Sequence, residues 1–82
     1  MDEETRSAEQ LAQDYTAMGH SVDLINGIID GTQMADESDE DKQNAVRRNK
    51  EHLELMVAKD DWGSEDMTSA NSAITSATTY LG

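Results

Sequence analysis

No cysteine, no proline and no phenylalanine occur among the 82 residues, and one Trp with two Tyr make up the aromatics. Without Cys there are no disulfides, no thiol catalysis and no thiolate zinc site. Without Pro, nothing except Gly interrupts a helix. Basic residues are scarce too: six Lys and Arg stand against eighteen Asp and Glu, a formal net charge of -12. Direct binding to a phosphate backbone is disfavoured by that balance, since counterion release requires clustered Lys and Arg. Anionic membranes repel it for the same reason. Nor does any run approach the roughly 18 apolar residues of a membrane span, and the start Met1-Asp2-Glu3-Glu4 contradicts the basic n-region of a signal peptide. The expected partners are therefore other protein chains, with no nucleic acid and no membrane.

Large aliphatics are few: five Leu, four Ile and three Val. That falls below the roughly 20% of Leu, Ile, Val and Phe under which a highly charged chain struggles to fold. A chain of this length encloses one core and not two, so residues 1–82 form a single helical domain. Its thin core predicts marginal stability alone, completed by self-association or by a partner.

What is present is helical periodicity. Leu11, Tyr15, Met18, Val22, Ile25 and Ile29 recur at spacings of 4, 3, 4, 3 and 4, a heptad seam on one helix face. Ser7 with Gln10 reads as a capping box, with Thr5 or Asp2 as earlier caps, and Gly31 as a C-terminal stop. Gly19 and Gly27 each cost about 1 kcal/mol in a helix interior. The seam nevertheless crosses Gly19 in phase, which favours one unbroken helix over a restart at Ser21.

A second helix is expected from Ser38 to Lys59. Ser38 would cap it, and the carboxylates from Asp36 to Asp41 suit the positive end of its dipole. Its apolar stripe runs through Ala45, Val46, Leu53, Met56 and Val57. Asn49 falls within that stripe, where a polar side chain can set register. After Asp60-Asp61-Trp62-Gly63, Ser64 is the expected cap of a third helix with Glu65 and Asp66 in its first turn. Met67, Ala70, Ile74, Ala77 and Leu81 give it a narrow, alanine-rich seam. The expected fold is all-α, a small three-helix arrangement over about 7–30, 38–59 and 64–81.

Chemistry-bearing motifs are missing their essential members. Counted as a calcium loop from Asp36, position six is Asp41 where Gly is needed and position twelve is Arg47 where Glu is needed. A solvated helix start explains the acidic run better. His20 and His52 lack a second His at helical spacing, so no zinc pair forms, and as bases they would need a nucleophile that the sequence does not place beside them. Gly19, Gly27, Gly31 and Gly63 stand apart and make no phosphate-binding loop. An enzyme is not expected, and neither is a cofactor. Trp62 reads as the floor of a small core or as an exposed anchor for a partner.

Residues 48–74, RNKEHLELMVAKDDWGSEDMTSANSAI, resemble a segment found in short proteins of tailed bacteriophages. The shared pattern is Asn49, the His52-Leu53 pair, Met56, Lys59-Asp60, Trp62 and Glu65-Asp66 before an alanine-rich end. The resemblance covers about a third of the chain and brings no activity with it. It implies a phage protein, located in the virion or the host cytoplasm. The first expectation is a virion structural or assembly component working by helix packing, with Tyr15, Met18, Val22, Ile25, Ile29, Trp62, Ile74 and Leu81 as candidate partner-binding residues. The alternative is an acidic inhibitor that imitates nucleic acid and binds a host DNA- or RNA-handling protein.

Overall fold

The computed structural model describes residues 7–82, which form three α-helices: α1 (Ala8–Asp30), α2 (Asp39–Val57) and α3 (Thr68–Leu81). The cap candidates Thr5 and Asp2 lie outside the described residues. Each helix packs against the other two, so the core closes within one chain. Residues from all three expected seams take part in that core.

Helix α1 begins where expected. Ser7 adopts an extended conformation and its Oγ accepts from the Gln10 amide at 3.1 Å, satisfying one of the helix's orphan donors. The reciprocal half of the capping box is absent, because the Gln10 side chain donates forward to Asp14 Oδ1 at 2.9 Å. The helix runs unbroken through Gly19 and ends at Gly31, whose φ of 89° is the left-handed C-cap.

Gly27, expected as a weak point, is required by the turn that follows. Its carbonyl accepts from the amides of Gly31, Thr32 and Gln33. A Cβ on Gly27 would collide with the Gln33 side chain. The loop after α1 folds back onto the helix, and only a residue without a side chain admits it.

The buried line of α1 is Met18, Ser21, Ile25 and Ile28. It lies one position round from part of the expected seam. Met18 and Ile25 are in the core, Leu11, Tyr15 and Val22 flank it, and Ile29 is 40% exposed. The displacement has a polar cause: Ser21 is buried because its hydroxyl has a partner, and an apolar count cannot register a buried serine.

In α2, Ser38 Oγ accepts from the Asp41 amide at 3.1 Å, and Asp39, Glu40 and Asp41 occupy the first turn. Ala45, Val46 and Leu53 are buried, with Met56 and Val57 packed beside them. Asn49 sets no register across the bundle; its Nδ2 donates within its own helix to the Ala45 carbonyl at 2.8 Å. The helix ends at Val57, slightly short of Lys59.

Helix α3 departs most from expectation, starting at Thr68 instead of Ser64. Two anchors hold the connection out of helical form. Trp62 Nε1 donates to the Met56 carbonyl at 2.8 Å, and Tyr15 Oη donates to the Asp66 carbonyl at 2.7 Å. Gly63 adopts a φ of 67° between them. The residue that receives a helix-start amide is then Asp66, whose Oδ1 accepts from the Thr68 amide at 2.9 Å, and not Ser64. Ala70, Ala73 and Ala77 line the buried face, while Met67, Ile74 and Leu81 flank it. Methyl-sized side chains let α3 approach its neighbours closely, which compensates for the scarcity of large aliphatics.

Candidate protein-docking groove

Of the candidate partner-binding residues, three come together with a fourth behind them. Tyr15, Met18 and Val22 line an open groove of about 230 Å³ between α1 and the start of α3. Gly19 and Asp23 continue its α1 wall; Asp66, Ser69 and Ala70 form the opposite one. Trp62 stands behind Tyr15, with ring centroids 6.1 Å apart and planes crossed at 61°, an edge contact. Tyr15 is therefore held twice, by that contact and by its hydrogen bond to Asp66.

Ile25 and Trp62 do not belong to the accessible surface. Ile25 is 0% exposed and Trp62 only 7%, so the exposed-anchor reading of Trp62 is corrected to a core one. Met18 is buried as well, and contributes only to the groove's floor. Ile74 and Leu81 are half-buried against the core. Ile29 lies elsewhere, on a second shallow groove with Thr75, Ser76, Thr79 and Tyr80.

Gly19, Asp23, Asp66 and Ser69 were not singled out for this role. One signal was available for Gly19, because an outward-facing glycine amid good helix spacing leaves a gap on the surface. Nothing lies within 4 Å of where its Cβ would be. Asp66 could not have been found, because its place depends on the loop that Trp62 and Tyr15 anchor. Its carboxyl is held below the ordinary carboxylate range by the Thr68 side chain and then by the Thr68 amide. It is fully ionised at neutral pH. Asp23 is exposed at the groove's edge and forms no ion pair among the described residues.

A second arrangement brings chemistry together away from the groove. Ser21 Oγ and His52 Nδ1 are 2.8 Å apart across the α1–α2 interface. A hydroxyl beside an imidazole is the start of a nucleophile and base pair. Here, however, Ser21 is only 5% exposed, so its hydroxyl is shielded from solvent. The pair is a polar clamp between two helices. Among the described residues no group of three His, Asp or Glu side chains is placed to hold a metal ion. The exposed carboxylates Asp36, Glu37, Asp39, Glu40 and Asp41 gather at the α2 start. No described helix is long and apolar enough to cross a membrane.

The fold and this surface define an all-α, three-helix acidic protein with an open groove between α1 and the start of α3. Comparison with protein-family models, with curated proteins and with solved structures returns no match.

Proposed function

We propose that this chain is a non-enzymatic phage protein, a structural or assembly component of the virion that acts by packing against other protein chains. The observation that carries this reading is the groove. It pairs an apolar floor with a preorganised aromatic wall, and among the described residues the serine of the Ser21–His52 contact is buried away from it. Concave apolar surface with a few fixed polar groups is what a docking partner uses. The likeness of residues 48–74 to phage proteins supports the virion setting, and that segment supplies Trp62 and Asp66, which shape the groove. Mass spectrometry of purified particles of the encoding phage tests it: the chain is expected at a fixed ratio to the major virion proteins. Its absence from particles and from assembly intermediates would overturn the reading.

A second reading has one observation of its own. The exposed acidic group from Asp36 to Asp41 is a one-signed field that could occupy a basic cleft of a host nucleic-acid-handling protein. Such binding would weaken steeply with salt. Salt-insensitive capture of host proteins would count against it.

A further inference from the structure

We propose that the groove between α1 and α3 is a receptor for an arginine side chain presented by the partner protein. This rests on the reading of the chain as a protein-docking module and names what the partner must bring. The floor of Met18 and Val22 suits the methylene stem of a long basic side chain, which buries carbon while its head stays polar. Gly19 leaves the space that stem requires, since any side chain there would project where now nothing lies within 4 Å. Asp23 and Asp66 both line the groove; the Asp66 carboxylate already accepts from the Thr68 amide, so the Asp23 carboxylate is the one left to receive the head. The chain as a whole carries -12, so its field favours a cation at any concave site.

Arginine fits better than lysine for two reasons. Tyr15 lines the groove with a ring held in place by its hydroxyl's bond to the Asp66 carbonyl and by its T-shaped contact with Trp62. A guanidinium stacks on such a ring and is more weakly hydrated than an ammonium, so it enters a half-apolar groove at lower desolvation cost. Its planar donors also meet a carboxylate in a bidentate fork, where a lysine acts as a point charge. An apolar helix, the other occupant an apolar floor would admit, would desolvate the Asp23 carboxylate, which forms no ion pair among the described residues.

The test is a two-dimensional amide NMR titration of the full chain with Nα-acetyl-arginine methylamide. Parallel arms use the lysine analogue and the citrulline analogue, which is a neutral isostere. Saturable shifts are expected at Gly19, Asp23 and Asp66, in the order arginine, then lysine, then citrulline. Equal responses to arginine and citrulline, or shifts centred on residues 36–41, would overturn the proposal. Gly19→Leu, which fills the groove without touching the core, should weaken arginine binding by roughly tenfold or more while leaving helical circular dichroism intact. Should that variant misfold, Asp23→Asn decides instead, because it removes one carboxylate from an exposed position. Unchanged affinity in a folded variant sinks the groove. The virion reading fails separately: saturable arginine binding by a chain absent from particles would leave the groove standing without it, while a chain present in particles that shows no saturable arginine binding would remove the groove and keep the virion reading.

Discussion

Ser21 on α1 and His52 on α2 meet through Oγ and Nδ1 at 2.8 Å, a polar contact set between the buried residues Met18 and Ile25 on one helix and Leu53 on the other. A buried hydroxyl without a partner costs about 1 to 3 kcal/mol, so the imidazole makes a serine tolerable where the helix pattern calls for an aliphatic. Ser21→Ala should lower stability by about 1 kcal/mol. A double-mutant cycle with His52→Ala should show coupling of at least about 0.5 kcal/mol, as directly bonded neighbours do. Because Ser21 is shielded, a fluorophosphonate probe should leave it unlabelled. Stoichiometric labelling would reopen the question of catalysis.

Two glycines in the same helix should respond oppositely to the same change. Gly19→Ala adds a methyl to open space and gains helix propensity, so stability should rise by about 0.5 to 1 kcal/mol. Gly27→Ala drives a methyl into the Gln33 side chain and disturbs the turn held by the Gly27 carbonyl. A loss of about 1 to 3 kcal/mol is expected, as for an overpacked core site. Urea denaturation of both variants checks the pair, and equal effects would contradict the fold-back of the loop.

Ile25 lies at the centre of the buried line and is fully enclosed. Ile25→Asp would place a carboxylate there without a partner, costing several kcal/mol or forcing its protonation. For a chain of this size that is most of the stability, so helical circular dichroism should disappear. Exposed Asp23→Ala, two residues away, should change stability by less than about 0.5 kcal/mol. A folded Ile25→Asp variant would mean the core is assembled differently.

Trp62 should emit as a shielded indole, at shorter wavelength than a solvated one, and Trp62→Ala should cost about 3 to 5 kcal/mol. Tyr15→Phe keeps the ring contact and removes only the bond to the Asp66 carbonyl. It should cost about 0.5 to 1.5 kcal/mol. A fully water-exposed emission maximum in the parent would contradict the buried position.

Asp66 predicts a specific acid dependence. Its carboxyl is depressed in the folded state by the Thr68 side chain and amide. A depressed carboxyl contributes stability that is fully present above the ordinary value of about 3.9 and is lost as pH falls through the folded-state value. The difference in Tm between the parent and Asp66→Ala should therefore hold steady from neutral pH down to about 5 and shrink below about 4. A difference independent of pH would show that the charge is not involved.

How much of this could be read beforehand depends on the range over which each feature is decided. The caps Ser7, Ser38 and Gly31 were legible because a cap is settled within three or four residues. The unbroken course of α1 through Gly19 was legible for a related reason: 3.6-residue periodicity is a local property that one glycine does not erase. The three-helix class followed from three such segments and two connections.

Features that depend on contacts between distant residues were decided only by the tertiary structure. Ser21 enters the core because His52, 31 residues away, arrives beside it. The start of α3 moves from Ser64 to Thr68 because Tyr15, 51 residues before Asp66, bonds to that residue's carbonyl and Trp62 turns back to Met56. Asp23 and Asp66 face one groove for the same reason. Local chemistry sets where a helix can begin and which stripe can be buried, since those energies arise within a few residues. Which polar groups are buried, and which charges share a cleft, is set by partners that only folding brings together.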